Sequence, residues 1–315
     1  MATASGKPAA ATSGHAVAAD LIAVLVAVTA GRPRVMTIQD GAALPSGPFA
    51  GDDRSLQSGV RSWVEQQTGH QLGYVEQLYT FADRDRAAGA TRVISISYLA
   101  LTRESEGGKA ESGWRDWYGY FPWEDHRAGP PHLLQGIAAQ LRDWAGRAAA
   151  PAQRRGRARR VAIGFGLDGR PWNEELILQR YELLYEAALV PEARRRRGAG
   201  GAPALPGGAM VFDHRRILAT GIARLRAKIK YHPVVFELMP PSFTLLQLQR
   251  AVEALAGRRV HKQNFRRLIE QQDLIEETGA IAADTGGRPA KLFRFRRDVL
   301  DERAVAGTKL PLTRA

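Results

Sequence analysis

The stretch from Thr244 to Arg296 constrains this chain more than any other, because its start and stop signals spell out a complete order of elements. Thr244 can cap a helix, with Gln247 three residues on as its capping-box partner, and Gly257 stands where such a helix stops. Between those marks Leu245, Leu248, Val252 and Leu255 recur at helical spacing and define one apolar face. After a tight connection through Arg258, Arg259 and Val260, residues His261 to Gln272 read as a second helix, with Phe265, Leu268 and Ile269 as its expected buried stripe. Lys262, Gln263, Arg266 and Arg267 fall on the opposite side, close together in angle. Leu274 and Ile275 read as a short strand, Gly279 to Arg288 as a Gly-rich turn, and Lys291 to Arg296 as a returning strand. In that last strand Phe293 and Phe295 alternate with Arg294 and Arg296, which sorts apolar from cationic side chains onto opposite faces.

Helix, short turn, basic helix and basic hairpin follow one another in the order of a winged helix-turn-helix. A helix of this width fits the major groove of B-DNA, and cations on helix and wing neutralise phosphates and release counterions. The bland alternative is a solvated charged face on an ordinary helical domain. Composition favours the first reading: a formal charge of +13 over 315 residues points to a polyanionic partner, nucleic acid before an anionic membrane surface. With 44% hydrophobic residues the chain has material for about two cored domains. It has no cysteine, which removes disulfides and thiolate metal sites and suits a reducing cytoplasm. The apolar run Leu21 to Val28 is too short to span a bilayer, and a buried first strand explains it better than a signal-peptide core.

In chain order, residues 1–15 form an Ala-, Ser- and Thr-rich tail expected to be disordered. Leu21 to Thr29 and Arg34 to Ile38 read as a β-hairpin, Leu44 to Asp53 as a loop, and Ser55 to Gln67 as a helix ended by Gly69. Strands are expected at Gly73 to Phe81 and Arg92 to Thr102, and Trp114 to Trp123 as one strand or a pair. Leu133 to Ala148 and Glu174 to Leu189 look like added helices separated by an Arg- and Gly-rich segment, and Arg194 to Gly208 like a loop opening on four arginines. Asp213 can cap a helix reaching Tyr231, whose Leu218, Ile222, Leu225 and Ile229 form a seam for its own sheet or for a second subunit. Arg224, Arg226, Lys228 and Lys230 are expected to keep its other faces wet.

The loop and helix from Leu44 to Gly69 resemble the Nudix box, with hairpin and strands in the order of a Nudix fold. In active Nudix enzymes helix glutamates hold divalent metal against a nucleoside diphosphate linkage, and this chain departs from that pattern. One register puts Arg54 at the first acidic place, Ser62 and Trp63 in place of Arg-Glu, and Gln66-Gln67 in place of the paired glutamates. Another recovers Asp53, Arg61 and Glu65 but leaves Ser62 and Gln66 where carboxylates belong. Hard Mg²⁺ held by so few carboxylates binds weakly, so the expected pocket binds without cutting, with no cofactor and no metal site.

Tyr74-Val-Glu-Gln-Leu-Tyr-Thr-Phe81 with Arg92-Val-Ile-Ser95 resembles the strand signature of the NrtR family, the Nudix-related transcriptional regulators of NAD metabolism. Asp213-His214-Arg215, Asn264-Phe-Arg-Arg267 and Gly287-Arg-Pro-Ala-Lys291 resemble that family's linker and winged helix, whereas about 130–195 has the look of a lineage-specific helical insertion. The resemblance implies an α+β chain: an N-terminal Nudix-like α/β/α sandwich over 16–210, a linker helix at 211–232, a winged helix-turn-helix over 233–300 and a tail at 301–315. It implies a cytoplasmic homodimer that represses NAD biosynthesis or salvage genes at a palindromic, double-stranded operator and releases it on binding ADP-ribose, with the seam helix as the moving link. Arg258, Lys262, Gln263, Asn264, Arg266, Arg267, Arg288 and Lys291 are the expected DNA contacts. Gln77 and Tyr79, Arg92 as diphosphate partner and Trp123 as adenine platform are the expected ADP-ribose contacts. Two alternatives are a Nudix hydrolase with residual ADP-ribose pyrophosphatase activity and an accessory nucleic-acid-binding domain, and a nucleic-acid-binding protein without ligand.

Overall fold

The structure, a computed structural model, describes residues 17–82, 92–104, 112–197, 205–282, 289–296 and 298. The expected tails and Arg288 lie outside these residues. Strand β1 (Val17–Thr29) is the spine of the N-terminal sheet, and Leu21 to Ala27 are all buried. An unbroken apolar run of this kind belongs to a strand covered on both faces, not to one with a wet side. β1 turns through Ala30 and Gly31, both at positive φ (50° and 70°), into β2 (Arg32–Ile38), with Thr29 opposite Arg32. That two-residue turn matches the strand twist and closes the expected hairpin. β4 (Tyr74–Phe81), β5 (Arg92–Leu101), β1, β2 and β6 (Ser112–Asp116) lie side by side in that order, and the short β3 (Ser46–Pro48) pairs with β1. β1 and β5 are parallel and the other pairings antiparallel.

Helix α1 (Leu56–Thr68) covers one face. Gly69, at φ 75°, ends it as the sequence predicts, and Ser55 accepts the Ser58 amide as its N-cap. Val60 and Val64 bury against Leu21, Leu25, Met36 and Tyr98. The opposite face is covered by α6 (His214–Lys228), whose Ile217, Leu218, Ile222 and Leu225 meet the side of the sheet that carries Ile22, Val24 and Val26. α6 approaches β1 at Gly221, where an added Cβ would stand 2.9 Å from Val24 Cγ1. The seam therefore packs on its own sheet, and α6 is a layer of the N-terminal sandwich, not a free linker helix. Asp213 makes no side-chain cap; its carboxylate pairs with Arg216 instead.

The central region is more helical than the sequence pattern suggests. α2 (Leu133–Gly146) and α4 (Ile177–Glu186) fall where expected, but the Arg-rich segment between them is helix α3 (Pro151–Gly164), and the four arginines lie on α5 (Pro191–Arg197). α3 has a weak apolar period and buries little beyond Val161, Ala162 and Gly164. It forms because Pro151 sits in the first turn and Ala and Arg are strong helix formers. Trp114 to Trp123 also differs from expectation: β6 ends at Asp116 and a 3₁₀ turn follows over Trp117–Gly119.

The C-terminal domain carries a 3₁₀ turn (Val234–Leu238), α7 (Leu245–Ala256), α8 (Lys262–Gln271), β7 (Ile275–Ala282) and β8 (Ala290–Phe295). Thr244 and Gln247 form the capping box, and Gly257, at φ 71°, stops α7. Phe243 pairs with Phe293 through two backbone hydrogen bonds of 2.9 and 2.8 Å, adding a third strand segment to the wing. Phe295 stacks on Phe236 at 4.3 Å, so the aromatic face of β8 turns inward as the alternation predicts. β7 is longer than expected because Gly279, at φ 79°, lies in a bulge and does not end the strand. Leu268 is 51% exposed, which leaves Phe265 and the half-buried Ile269 as the inner stripe of α8. Among the described residues no helix is long and apolar enough to cross a membrane.

Candidate nucleic-acid interface and ligand pocket

α8 presents Lys262, Gln263, Asn264, Arg266 and Arg267 to solvent, all exposed. Among the described residues none of these cations has a carboxylate partner within 4.0 Å. His261 contributes no side-chain cap, so cations surround first-turn N–H groups that are themselves partly positive. That arrangement is unfavourable in isolation and favourable once phosphates lie against it. The wing differs. Lys291 pairs with Glu277 at 2.8 Å and Arg294 with Glu276 at 2.6 Å. Arg258 stands off the α8 face, with its guanidinium 3.5 Å from Glu174 at the seam between the domains.

Around α1 Asp53, Arg61, Glu65 and Gln67 are committed locally. Asp53 accepts the Ala50 amide at 2.9 Å, and Arg61 donates to the carbonyls of Leu72 and Gly73. Glu65 accepts from Gln71 at 3.2 Å. Gln67 donates to and accepts from the backbone of Ser46, at 2.8 and 3.0 Å, and so ties β3 to α1. Among the described residues no group of three His, Asp or Glu is placed to hold a metal ion.

The expected ligand contacts are dispersed. Gln77 is exposed and registers opposite Tyr98, whose side chain belongs to the core under α1. A bulge between Gln77 and Thr80 rotates Tyr79 to the other face, where its ring meets Phe81 at 5.0 Å. The two residues therefore do not share a side, as simple alternation implies. Tyr79 is 60% exposed and lines a cleft of about 570 Å³ with Phe81, Ile163, Glu182, Arg216 and Thr220. Arg92 begins β5 opposite Val17, six residues from Tyr98 and thus roughly 20 Å along the strand. Trp123 is fully buried against Phe121, with the Arg215 guanidinium 5.4 Å from its ring. It is a core residue and offers no face to adenine.

Sequence reasoning missed the buried charges. Glu124, 1% exposed, accepts from Arg180 at 2.6 and 2.7 Å and from Arg226 at 2.7 Å. Burial pushes its carboxyl up, but the charges and hydrogen bonds of the two arginines outweigh that and hold it below the usual glutamate range. Arg226 was expected to face water and is fully buried. The signal was present: Arg226 follows Ile222 by four residues and precedes Ile229 by three, on the same stripe as the seam. Its Nε donates to the carbonyl of Leu255 at 2.9 Å, Tyr118 Oη donates to that of Ala254 at 2.7 Å, and the His126 amide to that of Gly257 at 2.7 Å. The Asp213-His214-Arg215 motif is likewise structural. His214 Nδ1 accepts the Leu44 amide at 2.9 Å, and burial lowers its pKa to about 4. Arg215 pairs with Glu192 at 3.3 Å, both buried.

Comparison with known proteins bears on both domains. Residues 235–295 match the NrtR DNA-binding winged helix domain family. A curated relative, the ADPR responsive transcriptional repressor NtrR of Acinetobacter baylyi, is 40% identical over 86 residues, which is 27% of this chain and 34% of that protein. The chain thus spans about a third of the length of the curated relative it matches. The Shewanella oneidensis NrtR crystallised with a 27mer DNA shares the fold with a TM-score of 0.52 at 20% identity, over 90% of this chain and 95% of that one. A MutT/nudix family protein from Enterococcus faecalis aligns with the same TM-score at 17% identity, over 93% of this chain and 90% of its own. At these identities the two structures establish the architecture: a Nudix-type sandwich followed by a winged helix.

Proposed function

We propose, from the premise that this chain belongs to the NrtR family, that it is a DNA-binding transcriptional repressor whose Nudix-like domain senses ADP-ribose. The observation that carries the reading is the α8 face, where Lys262, Arg266 and Arg267 stand exposed, without carboxylate partners among the described residues, beside Gln263 and Asn264 on a winged helix of that family. Long cationic and amide side chains in one row bond phosphates and base edges from the major groove. Lys291 and Arg258 add charge at the wing and the seam, and Arg288 is proposed with them. A homodimer presents two such helices to a palindrome with half-sites about one helical turn apart. The regulated genes would be those of NAD biosynthesis or salvage, in a cytoplasmic setting.

β4 is one of the two edge strands of the sheet, β6 being the other. An elongated ligand along its free side reaches Gln77 on one face and Tyr79 on the other, and Arg92 is the proposed diphosphate partner. ADP-ribose must favour one arrangement of the two α8 helices over the other, since equal affinity for both would shift nothing. Release from DNA is the proposed sign. With Asp53 and Glu65 engaged apart from each other and Gln67 spent on Ser46, binding without hydrolysis is the proposed outcome at α1. Nuclease protection of the promoter region beside the protein's own gene tests the assignment. Two protected half-sites centred about 34 Å apart along the helix axis, with ADP-ribose recovered intact in the presence of Mg²⁺, are expected. Uniform protection, or turnover of the ligand, would sink it.

A further inference from the structure

Arg226 grips three elements at once. It reaches Glu124 in the N-terminal domain, the carbonyl of Glu174 at 2.8 Å before α4, and the carbonyl of Leu255 in the last turn of α7. Arg180 of α4 holds the other side of Glu124 and also donates to the carbonyls of Gly164 and Asn173, both at 2.9 Å. Two arginines against one glutamate leave an excess of positive charge in a fully buried site. The carbonyls at the end of α7 supply the compensation, because a helix C-terminus carries partial negative charge. Lifting α7 away would strand Arg226, Tyr118 Oη and the His126 amide together, and each unpaired buried group is costly. Gly257 admits no side chain here, since an added Cβ would stand 2.5 Å from the Glu124 carbonyl. The domains therefore meet in one register. A second contact enters the same helix two residues on, where Lys228 of α6 pairs with Glu76 of β4, next to Gln77 on the strand proposed to meet ligand.

We propose that Glu124, held between Arg180 and Arg226, is the positioning residue that fixes the angle of the winged helix on the sensor domain and carries the ligand state of β4 to α8. The central helices, which hold none of the α8 cations, then act on DNA recognition through Arg180. This inference rests on the DNA-binding, ADP-ribose-responsive reading above and adds its route of regulation. The route predicts that weakening the clasp frees each α8 helix to find its own half-site. Spacing discrimination and ligand response fall together, while the α8 side chains keep their intrinsic affinity.

The test uses the full-length protein, its Glu124→Gln variant and its Tyr118→Phe variant. The second removes only the hydroxyl that bonds Ala254 and serves if the first does not fold. Affinities are measured for a single half-site, for the natural operator and for operators whose half-sites are moved apart by half a helical turn, with and without ADP-ribose. Amide exchange at His126 reports separation of the domains. The clasp predicts single half-site affinity within twofold of the parent, at least a tenfold loss of spacing discrimination, an ADP-ribose effect reduced at least fivefold, and faster exchange at His126. Variants with parental spacing preference and parental ADP-ribose response would overturn it, whatever their thermal midpoint. If the parent protein itself ignores ADP-ribose, the functional reading fails first and the clasp as a route of regulation falls with it.

Discussion

Salt dependence offers a quantitative handle on α8. Lys262, Arg266 and Arg267 are exposed cations without carboxylate partners among the described residues, so each is free to neutralise a phosphate. Counterion release gives a slope of log K against log salt of about −0.9 for each phosphate neutralised on B-DNA. Replacing all three by alanine should therefore make the slope shallower by about 2.7 on a duplex carrying one half-site. Each replacement alone should change it by about 0.9 and weaken binding at every sequence in parallel if its contact is to phosphate. If Arg266 or Arg267 instead bonds a guanine edge, its loss costs about 1–3 kcal/mol at one base position and relaxes preference there. A pair away from the winged helix supplies the control. Arg147 and Asp143 form an exposed neutral pair at the end of α2, so removing both should leave the slope within about 0.3 of the parent. Fluorescence anisotropy at four or five salt concentrations from roughly 50 to 200 mM resolves these differences. A triple α8 variant with an unchanged slope would refute the assignment of this face to DNA.

Two further outcomes follow from the sandwich. His214 is buried and neutral, with its pKa lowered to about 4 from 6.5, so the unfolded chain binds the proton more readily between those values. Stability should fall as pH drops from about 6.5 towards 4, by roughly 3 kcal/mol in all, and urea midpoints of a His214→Asn variant should show a smaller drop than the parent. An identical pH dependence in parent and variant would contradict this. Gly221→Ala in α6 should destabilise by about 1 kcal/mol net, because its Cβ meets Val24 at 2.9 Å, whereas Gly156→Ala on α3, with nothing within 4 Å, should stabilise by a few tenths to about 1 kcal/mol. Thermal midpoints that move in the same direction would refute the packing of α6 on β1.

The parts of the fold legible in the sequence were those written in local chemistry. The Thr244 cap, the stops at Gly69 and Gly257 and the inward Phe293 and Phe295 all follow from hydrogen-bond and steric rules acting over a few residues. The winged helix was therefore readable almost entirely. α3 was not, because its ten-residue core from Gln153 to Ala162 carries five arginines and little apolar rhythm, and its stability comes from intrinsic propensity and from contacts such as Arg157 over Trp144 at 4.2 Å. Trp123 was misplaced for a related reason. An aromatic near a predicted pocket looks like a platform until tertiary packing encloses it. The β4 bulge separated Gln77 from Tyr79, since one inserted residue reverses which face a side chain takes. Buried arginines were the largest omission: Arg180, Arg215 and Arg226 find their carboxylates 23 to 102 residues away, beyond any local pattern.

The pairing of specific DNA binding with an ADP-ribose response in one protein is tested by anisotropy of a labelled duplex from the neighbouring promoter, titrated with full-length protein at fixed salt in the presence and absence of ADP-ribose. Tight, sequence-specific binding that weakens at least fivefold when ADP-ribose saturates the protein is expected. Binding of equal strength with and without ADP-ribose, or no preference for the promoter over unrelated DNA, would contradict it.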